Sequence, residues 1–169
     1  HDRRDVVIDI FDRIVNTAKG AALGTGTTMD FEMIGGTHEL LPNDVLQELM
    51  HKSLSQIGGF DYTSKENEFA KRIAETLGKP LNMAFVNGVE PYDPNALPMG
   101  STDVGDVSFT VPTAGMGAAT WVPGTPAHSW QAVATGGTTI GNKGMLVAAK
   151  TLALTAFKLL DNPKIMDEA

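Results

Sequence analysis

Three side chains able to bind a metal or move a proton lie in one stretch, Gly100 to Trp130: Asp103, Asp106 and His128. Neutral imidazole is the commonest protein metal ligand, and carboxylates are its usual companions. The chain has no cysteine, which excludes disulfides and thiolate sites, so any metal must be held by histidine and carboxylate. His128 follows a Pro-bracketed turn, Pro123-Gly124-Thr125-Pro126, and precedes Ser129-Trp130. Such a turn fixes the backbone, because Gly permits positive φ and Pro presets it. A structural reading of the aspartates stays open beside the chemical one, since Asp often closes a turn by accepting backbone N–H bonds. His51, near the solvent side of a helix, and His38, in a turn, read as exposed imidazoles.

Other chemistries fail on spacing. A phosphate loop needs G-x-x-x-x-G-K-[ST], yet Asn142 stands where the lysine belongs after Gly136 and Gly141. Gly100-Ser101-Thr102-Asp103 does not give the G-x-S-x-G of a serine hydrolase. The formal net charge is -7, from 20 acidic and 13 basic residues. With no basic run interleaved with aromatics, a nucleic-acid partner is not expected. The most apolar stretch, Gly144 to Leu160, is interrupted by Lys150, Thr151, Thr155 and Lys158, too short and too polar for a membrane span. No signal peptide is visible, so a cytoplasmic location is expected. The opening His1-Asp2-Arg3-Arg4 lacks a methionine and enters a helical pattern at once; an excerpt of a longer protein is expected.

The elements that must position these residues follow from periodicity. Val7, Ile10, Phe11, Ile14, Ala18 and Ala21 predict a helix from about Arg3 to Leu23. Met29, Phe31 and Met33 alternate with polar neighbours and predict a strand over Thr27–Ile34 with one covered face. Asn43 is a plausible cap for a helix running to Gly58-Gly59. Thr63 and Glu66 have the spacing of a capping box, opening a helix that ends at Gly78. Leu81 to Met99 has no periodicity and many turn signals, as a functional loop or one packed over another part of the protein would. Val107-Ser108-Phe109-Thr110-Val111 alternates like a half-buried strand, Thr120–Val122 reads as another and Gln131–Ala134 as a short third. Gly136 to Lys143 reads as a polar turn. A last helix, about Gly144 to Leu160, is apolar except for a stripe of Thr151, Thr155 and Lys158, and needs cover on most sides.

Three groups of residues carry a family resemblance. They are Gly100-Ser101-Thr102-Asp103-Val104-Gly105-Asp106-Val107-Ser108, then Pro123-Gly124-Thr125-Pro126-Ala127-His128-Ser129-Trp130, then Gly144-Met145 opening an alanine-rich helix. Together they resemble the carboxyl-terminal part of aminobenzoyl-glutamate utilisation protein B-like enzymes. These are metal-dependent amidohydrolases and peptidases related to carboxypeptidase G, aminoacylase and the indole-acetyl-amino-acid hydrolases. The Thr25-Gly26-Thr27-Thr28, Gly35-Gly36 and Leu40-Leu41-Pro42-Asn43 segments are similar to the same proteins.

The resemblance implies an α/β (mixed) fold. Residues 1–40 would be the end of an α+β lid that mediates dimerisation, and residues 41–169 the second part of a catalytic α/β domain. It implies hydrolysis of an amide bond in an N-acyl amino acid or aminobenzoyl-glutamate-like small molecule, by a water activated between two divalent metal ions, zinc or manganese. It implies His128 as a metal ligand, with Thr125 and Ser129 beside it and Ser101 and Thr102 lining the substrate side. It implies that the general base and the remaining ligands lie in an amino-terminal half; this chain itself has no His-x-Asp and no Glu-Glu. Alone, it is then expected to be inactive, and a homodimer through the lid is expected. The alternative is a non-catalytic dimerisation or small-ligand-binding fragment, the latter using the Leu81–Met99 loop.

Overall fold

The computed structural model describes residues 1–96, Gly100 and residues 102–169. Its helices are α1 (Arg4–Thr25), α2 (Asp44–Ile57), α3 (Ser64–Leu77), α4 (Ala84–Asn87), α5 (Val104–Ser108), α6 (Trp130–Gly136), α7 (Thr139–Asp161) and α8 (Lys164–Glu168). No strand occurs among the described residues, which overturns the α/β (mixed) expectation.

The failure has one physical cause. Alternating side chains describe the faces of a strand, but a strand exists only where its N–H and C=O groups find a neighbouring ladder. None of the four predicted segments has one. Residues 27–34 take no regular structure, and neither do Thr120 and Val122. Val107 and Ser108 end α5, and the amides of Thr110 and Val111 both donate to the Val107 carbonyl at 2.9 Å. Gln131–Ala134 lies inside α6, whose first turn is capped by Ser129.

The described residues form two units. The first comprises His1–Pro42 and the described part of Leu97–Thr113. Its α1 passes through Gly24 and stops at Gly26, which takes φ 66°, the left-handed geometry that glycine adopts without a Cβ clash. No residue of α1 is buried. Phe31 meets Phe11 edge-on at 5.8 Å, but Phe31 is 49 % and Met33 61 % exposed. The covered Met29/Phe31/Met33 face is therefore not formed. Around α5 the chain packs closely: a Cβ on Gly105 would lie 2.0 Å from the His38 carbonyl oxygen.

The second unit comprises Asn43–Ala96 and Ala114–Ala169 and holds a core of Tyr62, Ala70, Ile73, Val86, Val122 and Ile140. Its helix starts were legible. Asn43 Oδ1 accepts from the Leu46 amide at 3.0 Å. Thr63 Oγ1 accepts from the Glu66 amide while Glu66 Oε2 accepts from the Thr63 amide, at 3.3 and 2.7 Å. The start of α7 was not: it lies at Thr139 rather than Gly144, with Thr138 Oγ1 accepting from the Ile140 amide at 3.3 Å. The glycines read as a turn serve close approach instead. A Cβ on Gly141 would meet the Gly136 oxygen at 2.1 Å, and one on Gly144 the Ala119 oxygen at 2.5 Å.

The orientation of α7 also corrects the sequence reading. Its threonine stripe faces inward: Thr151 and Thr155 are buried, and Thr155 Oγ1 lies 3.5 Å from Met50 Sδ of α2. Burial is tolerated because each hydroxyl donates to the carbonyl four residues earlier, Val147 or Thr151, at 2.9 and 2.8 Å. The apolar Leu146, Leu152, Phe157 and Leu160 are the exposed side.

Candidate functional site

In the second unit the backbone between the buried Val122 and α6 is set by short local bonds. The Thr125 amide donates to the Val122 carbonyl at 3.1 Å, across Gly124 at φ 85°. Ser129 Oγ donates to the Pro126 carbonyl at 2.7 Å and accepts from the Ala132 amide at 3.2 Å, capping α6. Between these anchors stands His128, exposed, at φ 58°. It is the one non-glycine residue with positive φ among the described residues. That conformation costs an L-residue roughly 1 kcal/mol, and such strain collects at functional positions. The Ser129 hydroxyl is engaged by the helix start, whereas Thr125 Oγ1 is buried without a hydrogen-bond partner among the described residues.

A cleft of about 730 Å³ opens in the same unit, and Thr125 lines it. The stretch predicted to be functional or packed lines it through Phe85, Glu90, Tyr92 and Asp93, and His51 and Trp121 line it as well. His51 is half-buried and its ring lies 5.6 Å from that of Tyr92, not free on the solvent side of α2. The Tyr92 phenol is raised above its usual range, by desolvation first and then by the negative charge of Asp44 and Glu48.

In the first unit Asp106 and His38 form a pair that sequence reasoning missed. Asp106 Oδ1 accepts from the His38 amide at 3.1 Å and lies 2.5 Å from His38 Nδ1. Arg4 Nη1 approaches the same ring. The hydrogen bond from the His38 side chain, with its amide, holds the Asp106 carboxyl below its ordinary range. Sixty-eight residues separate the two, and no local spacing signals such a pair. Asp103 precedes α5 and makes no cap bond. Thr102 Oγ1 accepts from the Val104 amide at 3.2 Å, closing a turn. Ser101 lies outside the described residues.

Among the described residues no three His, Asp or Glu side chains converge as a metal site would require. The residues present do not fit a two-metal centre. No helix among them is long and apolar enough to cross a membrane.

No family model matches the chain, and no solved structure matches it. The chain is 36 % identical, over an aligned stretch of 185 residues, to the B component of p-aminobenzoyl-glutamate hydrolase from Escherichia coli (strain K12). That stretch covers 94 % of this chain and 38 % of the relative. The resemblance read from the three motifs is thus borne out along nearly the whole chain, which spans well under half the length of the curated relative it matches.

Proposed function

We propose that this chain is the carboxyl-terminal part of a metal-dependent amidohydrolase that cleaves an aminobenzoyl-glutamate-like amide, and that His128 is its contribution to the metal centre. The likeness to the hydrolase component supports the reaction class. The observation that carries the residue is the left-handed backbone of His128. An exposed histidine kept in a strained conformation, between two hydrogen-bonded anchors, is held for what its ring binds rather than for packing. The remaining ligands of a zinc or manganese pair, and the general base, then lie on polypeptide beyond this chain, and the chain alone is inactive. Thr125 and Ser129 flank His128 as substrate contacts, the Ser129 hydroxyl also capping α6. Ser101 and Thr102 on the substrate side, and a homodimer through the exposed face of α1, belong to the same proposal.

The test uses a polypeptide of the relative's full length that contains this chain. His128→Ala is expected to remove one metal per chain by elemental analysis, to abolish nearly all release of p-aminobenzoate, and to leave the metal-free melting temperature unchanged. Two metals retained in the variant would end the ligand assignment.

A second reading, a small-ligand-binding module, is favoured by the cleft against the Phe85–Asp93 loop. Saturable binding by this chain with no hydrolysis from the longer protein would select it.

A further inference from the structure

The cleft of the second unit has a chemical bias that the hydrolytic reading does not use. Its volume, about 730 Å³, is in the range of small-molecule sites, roughly 300–1,000 Å³. Four aromatic rings contribute to its walls: Phe60, Phe85, Tyr92 and Trp121. Phe85 is 54 % and Trp121 37 % exposed, so ring surface is open to an occupant. Two carboxylates, Glu90 and Asp93, line it, and no Lys or Arg does among the described residues. Asp93 Oδ1 accepts from the Asn95 amide at 2.9 Å, a local turn bond.

Aromatic faces attract cations through the ring quadrupole, most strongly at tryptophan, and the attraction grows as water is excluded. Carboxylates at the same opening add Coulombic attraction and repel anions. We infer that this cleft is a binding site for an organic cation carrying an aryl group, an arylalkyl-ammonium compound, and that it discriminates against aryl carboxylates. The inference needs neither His128 nor a metal; it shares the cleft-lining Thr125 with the amide-hydrolase reading, and where that reading takes a glutamate-bearing anion this one takes a cation.

The experiment uses the 169-residue chain with Trp130→Phe, so that Trp121 is the single tryptophan reporter. Trp130 is 59 % exposed and does not line the cleft. Benzyltrimethylammonium, whose charge is independent of pH, is titrated against phenylacetate while Trp121 emission is followed. The cation is expected to give a saturable change and to bind at least tenfold more tightly than phenylacetate. Glu90→Gln with Asp93→Asn, two changes that remove charge while keeping side-chain size, is expected to weaken the cation about tenfold with the circular dichroism spectrum unchanged. Trp121→Phe, read by calorimetry, is expected to weaken it as well. A linear, unsaturable response to the cation, equal or tighter binding of phenylacetate, or full affinity in the carboxamide variant would each overturn the assignment. None of these results bears on metal content or amide hydrolysis in the longer protein.

Discussion

The two units are built on different principles. The α7 unit has a buried apolar cluster around Val86, Val122 and Ile140, each at 1 % exposure or less. In the α1 unit the buried residues among those described are Gly105 and Ser108, neither with an apolar side chain to contribute. There, order comes from directional bonds. The Ser108 hydroxyl accepts from the Leu41 amide at 2.9 Å and donates to the Gly105 carbonyl at 2.6 Å, while Asp106 grips His38 at both amide and ring. Non-directional burial supplies most of the stability of a domain, whereas a solvent-exposed polar contact contributes about 1 kcal/mol or less. The α7 unit should therefore withstand perturbation that loosens the α1 unit.

The sharpest way to break this contrast is a matched pair of truncations. Ile140→Ala, at 0 % exposure, is expected to cost about 2–5 kcal/mol through lost transfer energy and a residual cavity. Ile14→Ala on α1, at 59 % exposure, is expected to stay within about 0.5 kcal/mol. Urea unfolding of both variants reads the difference, and equal shifts would erase the distinction.

Next comes Glu66, 7 % exposed. Burial pushes its carboxyl pKa upward, but Lys143 at 2.6 Å, the Thr139 hydroxyl at 2.6 Å and the Thr63 cap overcome this and bring it to about 2. A carboxyl whose folded pKa is depressed contributes stability above its unfolded value, near 4.5, and that contribution is lost as pH falls through about 2. Glu66→Gln is expected to lower stability at pH 7 by on the order of 3 kcal/mol and to flatten the stability profile over that acid window. A variant with the parent's acid profile would show that the pair is not coupled to folding.

The corresponding titration in the α1 unit is weaker, because Asp106 and His38 are both partly open to water. Asp106 is also held low, so its contribution runs in the same direction: present above the ordinary carboxylate range and lost below it. Asp106→Asn is expected to speed hydrogen exchange at the His38 amide while leaving the exchange of Ile140 unchanged. Coupled acceleration at both sites would mean that the two units open together.

The smallest expected effect is at His128. His128→Gly removes a left-handed conformation from an L-residue and is expected to change stability by no more than about 1 kcal/mol, toward stabilisation. On the amide-hydrolase reading proposed above, the same change in a polypeptide of the relative's length is expected to abolish hydrolysis. A destabilised Gly variant would reassign His128 to packing.

Legibility in the sequence followed the range of the interaction. The Asn43 cap, the Thr63/Glu66 capping box and the Gly78 stop involve residues at most a few positions apart, so their spacing is visible along the chain. The helical starts misread as turn or strand, Trp130 and Thr139, also carry local caps, Ser129 and Thr138. There, glycine punctuation and side-chain alternation mask the caps. The three motifs together gave the resemblance, and the left-handed backbone that distinguishes His128 could not be read from them.

The chain alone thus determined its helix boundaries where caps are strong, its lack of thiol chemistry and its kinship with a component of an aminobenzoyl-glutamate hydrolase. Tertiary structure decided which apparent strands lack a ladder, that α7 buries threonines and displays leucines, that Asp106 pairs with His38, and that the Phe85–Asp93 loop walls a cleft. Each of these depends on a partner distant in sequence. Periodicity records which faces an element has, but what covers a face is fixed only when the chain closes on itself.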